Sequence, residues 1–235
     1  MAKRIRLGAL ISGGGTNLQA IIDACESDRI DAEVVFVGSD TPQAAGLERA
    51  RRHAIPVFVV DYRAVAHSFR QAPGAAELPA DFRLDEIRAQ QGLLAKNADP
   101  ARLDEFLKIR AVAEAALLAA MQPFSFDLLV LAGFMRNLTP YFIDRVNADR
   151  AVPRIMNIHP ALLPAFPGTD GYGDTFRYGC KVAGCTVHFV DYGEDSGPII
   201  AQRAFAVGED DTLDAVRRRG LEQEWQVYPE CIQLF

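Results

Sequence analysis

The fold is decided by Ile5-Arg-Leu-Gly-Ala-Leu-Ile11, Ser12-Gly-Gly-Gly-Thr-Asn17 and Leu18-Gln-Ala-Ile-Ile-Asp-Ala-Cys25, which follow one another without interruption. The first segment is a short apolar run, typical of a buried strand, and the last has helical periodicity. The glycines between them predict a tight turn, with Thr16 or Asn17 near the N-cap of the helix. A strand, a glycine turn and a helix in this order indicate an α/β fold with a parallel sheet.

The alternation of strand and helix continues along the chain. Further strands are predicted at 32–38, 55–60, 126–133, 154–159, 185–191 and 198–207, and helices at 44–53, 101–121, 140–146 and from about 211 to 233. We expect Thr139 to cap the third of these helices, Asp210 or Asp211 to cap the last, and Gly220 and Pro229 to interrupt the last. Right-handed crossovers between such strands give a doubly wound, mostly parallel sheet.

Residues 62–100 break this rhythm. Pro73-Gly74, Pro79, Asn97 and Pro100 punctuate a segment of mixed polarity without a clear period. It is long for a connection inside a compact domain, so we interpret it as an insertion with short helices. A lid, an oligomer contact and simple decoration are all open as its role.

The composition limits the class of protein. With 235 residues and no internal repeat, the sequence predicts a single domain over 1–235 with an insertion. The net charge of −6 disfavours a nucleic-acid binder, which is usually basic. Four cysteines without a CxxC pair indicate free thiols in a reducing compartment. Without a long apolar stretch or a signal peptide, we expect a soluble cytoplasmic protein with no membrane partner.

An amide and an imidazole stand two residues apart in Arg154-Ile-Met-Asn157-Ile-His159-Pro160. On a strand both side chains point to the same face, and the proline ends the strand. A reaction at a carbonyl needs one group that donates to the developing oxyanion and another that moves or stabilises a proton. The pattern predicts such a pair; the alternative is a capping asparagine and a buried histidine bonded to the backbone.

Three further segments are candidates for binding or catalysis. The turn Ser12–Asn17 places backbone N–H groups at a helix N-terminus, where a phosphate binds well. A tight turn without a ligand is an equally good interpretation of these residues. Arg136 follows the central strand, where open α/β sheets bind ligands. Asp195 lies in a turn after the strand that carries His188, and could hold the charge of an imidazole at a neighbouring strand end. The four histidines are scattered, so no metal site is predicted.

These segments together resemble the glycinamide ribonucleotide formyltransferases, folate-dependent enzymes of purine synthesis. The motifs that carry the resemblance are Ile11–Ile22, Gly46-Leu-Glu-Arg-Ala50, Leu131-Ala-Gly-Phe-Met-Arg136, Asn157-Ile-His-Pro-Ala-Leu-Leu-Pro164, Val187-His-Phe189 and Asp195-Ser-Gly-Pro198. They cover nearly the whole chain except about 62–100. The resemblance implies a Rossmann-like formyltransferase fold, and transfer of the formyl group of 10-formyltetrahydrofolate to the amine of glycinamide ribonucleotide, without a metal.

The resemblance also implies roles for individual residues. Asn157 and a protonated His159 would stabilise the formyl oxygen, and Asp195 would support His159 and help to order a water that shuttles the proton. The implied substrate-binding residues are Gly14, Gly15, Thr16, Asn17, Arg110, Met135 and Glu224, and the implied folate-binding residues are Arg136, Leu138, Asn157, Val190, Asp191 and Asp195. Glu224 would contact ribose hydroxyls. Asn137, in place of an apolar residue, and a loop after Pro167-Gly168 without histidines depart from the family pattern.

Other functions are compatible with parts of this pattern. A formyltetrahydrofolate hydrolase would use the same three catalytic residues with water as acceptor, but usually carries an N-terminal regulatory domain. An initiator-tRNA formyltransferase would need a further C-terminal domain and more positive charge, and a sugar-nucleotide formyltransferase fits the glycine loop less well. A non-catalytic folate- or nucleotide-binding module is the alternative from another class. The partners expected are small molecules only, in a monomer or homodimer.

Overall fold

The core of the fold is a single mixed sheet. The computed structural model describes residues 4–72, 77–94, 99–147, 149 and 152–235. The strands are β1 (Ile5–Ile11), β2 (Ala32–Ser39), β3 (Val57–Val59), β4 (Leu128–Leu131), β5 (Ile155–His159), β6 (Val182–Phe189) and β7 (Ile199–Ala206). Their order is β3-β2-β1-β4-β5-β6-β7. The first five strands pair in parallel, whereas β6 is antiparallel to both β5 and β7. The predicted doubly wound, mostly parallel sheet is confirmed.

Helices cover both faces of the sheet. They are α1 (Thr16–Glu26), α2 (Gly46–Arg52), α3 (Tyr62–Gln71), α4 (Leu84–Gln90), α5 (Pro100–Met121), α6 (Pro140–Val146), α7 (Gly171–Tyr178) and α8 (Leu213–Gln233). In β4, Leu128 and Val130 pack under α1 and α8, whereas Leu129 and Leu131 pack under α5 and α6. This alternation buries β4 on both faces, and its short apolar run predicted that burial. None of the described helices combines the length and the apolar run that crossing a bilayer requires.

Two predictions for the last helix are wrong, whereas the predicted start of α1 near Thr16 is confirmed. The N-cap of α1 is Gly15, directly before Thr16, and its φ of 71° lies in the left-handed region that glycine adopts without strain. The N-cap of α8 is Thr212, whose hydroxyl accepts a hydrogen bond from the Ala215 N–H. The helix α8 also continues through Gly220 and Pro229.

Local contacts explain why α8 is not interrupted. A proline at 229 leaves the carbonyl of Trp225 without its helical donor, and that oxygen lies 3.5 Å from Nη2 of Arg29. At Gly220, a Cβ would stand 2.1 Å from the ring of Tyr172, so the missing side chain makes room for that ring. The third strand is also shorter than predicted, since only 57–59 of the predicted 55–60 pair with β2.

Residues 62–100, which the sequence predicts to be an insertion, contain the short helices α3 and α4. Its apolar residues form a small separate core with α5 and α6, in which Phe82 and Ile87 pack near Leu107 and Tyr141. The insertion also contacts the loop after β6, where the Gly92 N–H donates to the Tyr192 carbonyl at 2.7 Å. The predicted breaks at Pro73-Gly74 and Asn97 lie outside the described residues.

Candidate active site

A cavity of about 370 Å³ opens at the carboxyl ends of β4 and β5, the edge where open α/β sheets bind ligands. It is called the main cavity below. Most of the predicted site residues line it: Asn17, Met135, Arg136, Leu138, Asn157, His159, Val190, Asp191, Asp195 and Glu224. Gly14, Gly15, Thr16 and Arg110 are not among its lining residues.

The imidazole of His159 is buried between two acceptors. Its Nδ1 lies 3.2 Å from Oδ2 of Asp195, and its Nε2 lies 2.8 Å from the carbonyl oxygen of Phe166. A backbone carbonyl and a carboxylate both accept hydrogen bonds, so this pair of partners matches an imidazole that carries a proton on each nitrogen. Both ring nitrogens of His159 therefore have a hydrogen-bond acceptor in reach.

Asp195 is held in its charged form. Burial would raise its pKa, but the His188 ring, the hydrogen bond from the Gly168 N–H and the charge of His159 together leave the pKa below its ordinary value. The Gly168 N–H donates to Oδ2 at 2.9 Å. Asp195 thus stays ionised at neutral pH.

Asp195 follows β6, the strand that carries His188, and β6 runs antiparallel to β5. Because β6 is antiparallel, its last residue Phe189 pairs with Met156 near the start of β5. The loop after β6 then returns, and brings Asp195 within 3.2 Å of His159 at the other end of β5. A positive φ of 51° at Asp195 is part of this turn, and aspartate tolerates that conformation better than most residues.

His188 fixes the amide of Asn157, a role that the predicted site did not assign. Its Nδ1 donates to the Phe189 carbonyl at 2.9 Å, which leaves Nε2 facing Nδ2 of Asn157 at 3.2 Å and Oδ1 of Asp195 at 3.6 Å. The register pairs Asn157 directly with His188 across β5 and β6. Alternation along β6 places His188 on one face with Thr186, but its contact with Asn157 depends on the antiparallel register of β5 and β6, for which the sequence has no local signal.

The glycine loop lies at the start of α1. Gly13 accepts a hydrogen bond from the Gly46 N–H at 3.0 Å, and the Gly14 carbonyl accepts one from Nε of Arg49 at 2.8 Å. A Cβ at Gly13 or Gly14 would meet nothing within 4 Å, so the loop faces open space. The first N–H groups of a helix lack carbonyl partners within the helix, and here they begin at Thr16. This arrangement suits a bound phosphate.

Glu224 joins the glycine loop to the main cavity. It is only 4% exposed, and its two oxygens accept hydrogen bonds from Nδ2 of Asn17 and from the hydroxyl of Tyr172, each at 2.7 Å. Burial raises the pKa of Glu224, and the two hydrogen bonds act in the opposite sense. The contact of Tyr172 was not predicted, because it depends on α7 and α8 meeting at Gly220.

Polar contacts also cross the mouth of the main cavity. Asn137 donates from Nδ2 to Oε1 of Glu194 at 3.0 Å, which joins the segment after β4 to the loop after β6. Leu138 is buried beside Asn137, whereas Met135 is 58% exposed. The departure at Asn137 therefore has a structural partner, in the same loop that holds Val190 and Asp191.

Arg110 and Arg136 line a second cavity, of about 630 Å³. Arg136 also lines the main cavity, and its Nε pairs with Oδ2 of the buried Asp40 at 2.5 Å. Arg110 lies between the rings of Tyr62 and Phe106, with its guanidinium 5.2 and 5.1 Å from the two centroids. The structure thus does not bring Arg110 together with Glu224.

Glu114 anchors the segment that precedes α6. Its carboxylate is fully buried and accepts hydrogen bonds from the N–H and the hydroxyl of Thr139, the predicted N-cap of α6. Burial raises the pKa of Glu114 to about 7, against the lowering effect of the Thr139 hydrogen bonds and of Arg110. Between its ordinary pKa and pH 7, the folded protein therefore binds a proton that the unfolded chain has lost.

Glu114→Gln should remove a pH dependence of stability. In the unchanged protein, Glu114 should cost stability as the pH rises from about 4.5 to 7, by about 3 kcal/mol in total. The glutamine variant should lack this loss and be more stable than the parent at pH 8. Urea unfolding at pH 5, 6, 7 and 8 measures it, with the exposed Glu222→Gln as control; equal slopes for parent and Glu114→Gln would contradict it.

Comparison with known proteins identifies the family. An amide, a buried imidazole and a carboxylate at one cavity of an α/β sheet are suited to a reaction at a carbonyl carbon. The sequence matches the formyl transferase family over residues 5–232. The chain therefore belongs to this family.

Relatives and solved structures are similar over nearly the whole chain. The phosphoribosylglycinamide formyltransferase of Bacillus subtilis is 33% identical over 97% of this chain and 93% of its own length. The crystal structure of glycinamide ribonucleotide transformylase 1 from Symbiobacterium toebii is 39% identical, with a TM-score of 0.74, over 100% of this chain and 89% of that one. The trifunctional purine biosynthetic protein adenosine-3 of Homo sapiens is 32% identical over 99% of this chain, which spans 18% of that protein.

Proposed function

We propose that this protein transfers the formyl group of 10-formyltetrahydrofolate to the amine of glycinamide ribonucleotide, in purine biosynthesis. The observation that carries the proposal is one cavity that holds Asn157, His159 and Asp195 and that Asn17 and Glu224 connect to the glycine loop. An acceptor with a phosphate at one end and an amine at the other suits this layout. The relatives from Bacillus subtilis and Symbiobacterium toebii are named as formyl transferases of glycinamide ribonucleotide.

The glycine loop and Glu224 hold the acceptor. The N–H groups at the start of α1 bind its phosphate, with Gly14, Gly15, Thr16 and Asn17 around it. Glu224 accepts hydrogen bonds from ribose hydroxyls while Asn17 and Tyr172 keep it in place. Met135 lies at the mouth of the main cavity, beside the acceptor. Arg110 contributes to acceptor binding from the second cavity. Its guanidinium lies near the ring of Tyr62, and so does the guanidinium of Arg136.

The folate co-substrate supplies the formyl carbon. Arg136, Leu138, Val190 and Asp191 form the walls that hold its ring system, and the donors and acceptors of this cleft fit a polar pterin edge over an apolar floor. The contact between Gly92 and Tyr192 lets the insertion support one of these walls. A metal has no part in the proposal, and no group of three or more acidic, histidine or cysteine side chains suited to a metal occurs among the described residues.

The chemistry follows from the charges. As the amine attacks the formyl carbon, negative charge develops on the formyl oxygen, and Asn157 donates a hydrogen bond from Nδ2 to it. His159 stabilises the oxygen by its positive charge; donation from its ring requires the Phe166 carbonyl to move away. Asp195 places its negative charge beside the ring of His159, and helps to order a water that takes a proton from the amine and delivers one to the folate nitrogen.

The assay that tests the function measures formation of tetrahydrofolate from 10-formyltetrahydrofolate, with and without glycinamide ribonucleotide. We expect turnover only when the ribonucleotide is present, together with formation of formylglycinamide ribonucleotide. Turnover without it would identify a hydrolase, and no turnover with tight folate binding would identify a binding module. A cytoplasmic location and a monomer or homodimer remain predictions, which fractionation of cells and analytical ultracentrifugation test.

Tyr172→Phe should weaken the binding of glycinamide ribonucleotide without affecting the binding of the folate. Loss of the hydroxyl removes one of the two hydrogen bonds that orient Glu224, and a typical hydrogen bond contributes about 0.5–1.5 kcal/mol. We expect KM for glycinamide ribonucleotide to rise about tenfold, with kcat and the folate KM nearly unchanged. Steady-state kinetics with each substrate varied measures this. Tyr178→Phe, at an 80% exposed tyrosine of the same helix, is the control, and an equal effect in both variants would contradict the assignment.

A further inference from the structure

The insertion meets the loop after β6 through backbone atoms. The Gly92 N–H donates to the Tyr192 carbonyl at 2.7 Å, and Gly92 pairs with Gly193 as a one-residue parallel bridge. A Cβ at Gly92 would stand 3.3 Å from both the Cα of Gly193 and the carbonyl oxygen of Tyr192, so the two backbones are in close contact. The bridge lies two residues before Asp195, whose carboxylate faces His159.

The insertion holds its own side of this bridge firmly. Oε1 of Gln91 accepts hydrogen bonds from the N–H groups two and three residues further on, each at 2.9 Å, which fixes the turn around Gly92. Leu94 packs against the small core that the insertion forms with α5 and α6. Arg88 of α4 donates from Nε and Nη2 to Oδ1 of Asp104 in α5, at 2.9 and 2.6 Å. The position of Gly92 is therefore set by the body of the protein.

The loop transmits the position of Gly193 to Asp195. Oδ1 of Asp191 accepts hydrogen bonds from the Gly193 N–H at 3.0 Å and from the Ser196 hydroxyl at 2.7 Å, which ties the two ends of the loop together. The φ of 51° at Asp195 is a conformation that persists only where the surroundings impose it. Among the described residues, the bond from Gly92 is the one backbone hydrogen bond between 191–196 and another segment.

The carboxylate of Asp195 depends on this placement. Its Oδ2 lies 3.2 Å from Nδ1 of His159 and accepts from the Gly168 N–H at 2.9 Å, while Oδ1 lies 3.6 Å from Nε2 of His188. All three distances change together when the loop shifts as a unit. A displacement of about 1 Å at a reacting group can lower a rate by two orders of magnitude.

We infer that the insertion is a positioning element for Asp195, and that Gly92 is the residue through which it acts. The inference rests on the proposed function, because it assigns the insertion to the same formyl transfer. It goes beyond the support of the folate wall, since a wall alone affects folate binding, whereas the position of Asp195 affects the chemical step. Gly92 touches neither substrate and is a positioning residue.

A double-mutant cycle between Gly92 and Asp195 tests this role. Gly92→Pro removes the N–H of the bridge, and the ψ of 138° at Gln91 suits a residue that precedes proline. At saturating concentrations of both substrates we expect Gly92→Pro to lower kcat about tenfold, with KM for glycinamide ribonucleotide within about twofold of the parent. In an Asp195→Asn background the same change should lower kcat less than about twofold, because the carboxylate that it displaces is already absent.

Ala80→Pro is the matched control, a proline placed in the same insertion away from the bridge. Ala80 is exposed at the first central position of a turn that the Phe82 N–H closes on the Pro79 carbonyl at 2.9 Å, where proline is favoured. It should keep kcat within about twofold of the parent. Urea unfolding shows whether each variant folds. If Gly92→Pro does not fold, Gly92→Ala keeps the N–H but presses a Cβ against Gly193, and should lower kcat about threefold in the same cycle.

The amide of Gly168 gives a readout that needs no turnover. Because this N–H donates to Asp195, its hydrogen exchange, followed by NMR, should be about tenfold faster in Gly92→Pro and unchanged in Ala80→Pro. An unchanged kcat in Gly92→Pro, an equal loss of kcat with and without the Asp195 carboxylate, or an unchanged Gly168 exchange would each overturn the inference. Absence of formyl transfer by the parent contradicts the proposed function instead, and the Gly168 exchange then still decides whether Gly92 positions Asp195.

Discussion

Replacing His159 with alanine should lower kcat by about 1000-fold and leave KM for glycinamide ribonucleotide nearly unchanged. The reason is that His159 supplies positive charge beside the formyl oxygen only as the reaction proceeds, so its removal affects the transition state more than the bound substrates. The substitution also leaves Asp195 without its partner at 3.2 Å, so the pKa of that buried carboxyl should rise. Rate constants for formyl transfer at saturating substrate measure the effect.

A matched histidine gives the control for this prediction. His53→Ala removes an imidazole that contacts Glu26 and Gln19 on the surface, away from the main cavity, and should keep kcat within about twofold of the unchanged protein. Asp195→Asn should share the phenotype of His159→Ala, because an amide replaces the charge that favours the imidazolium. A kcat within tenfold of the parent in His159→Ala would contradict the role assigned to this residue.

Local patterns in the sequence were sufficient to predict the sheet and the pair on β5. The apolar run of β4 predicts a strand buried on both faces, and the spacing of Asn157 and His159 predicts a shared face. Both statements depend only on the period of a strand, which the chain carries within a few residues. The order of strands and helices needs little more, since crossovers between parallel strands have one hand.

Contacts between distant segments could not be predicted in the same way. The position of Asp195 depends on β6 running against β5, and no local signal in the sequence gives the direction of that strand. The hydrogen bond from Tyr172 to Glu224 depends on the packing of α7 against α8, 52 residues apart in the chain. Each of these contacts forms only in the tertiary structure, which local propensity and periodicity do not determine.

The glycine loop carries the second large effect. Gly15→Ala should lower the free energy of unfolding by about 2–4 kcal/mol and raise KM for glycinamide ribonucleotide at least tenfold. At Gly15, φ is 71°, which disfavours any residue with a side chain, and a Cβ would stand 2.7 Å from the Cα of Gly46. Because that neighbour is backbone, α1 or α2 must move, and the N–H groups that face the phosphate move with it.

Gly13→Ala is the matched control, two residues away in the same loop. Its φ is not in the left-handed region, and a Cβ there would meet nothing within 4 Å, so the free energy of unfolding should change by less than about 1 kcal/mol. Urea unfolding and steady-state kinetics of both variants distinguish strain at Gly15 from a loop in which any added side chain is destabilising. If the two alanines destabilise the protein equally, the left-handed conformation and the contact with Gly46 are not what Gly15 provides. If Gly15→Ala keeps the KM of the parent, the phosphate is bound elsewhere than at the start of α1.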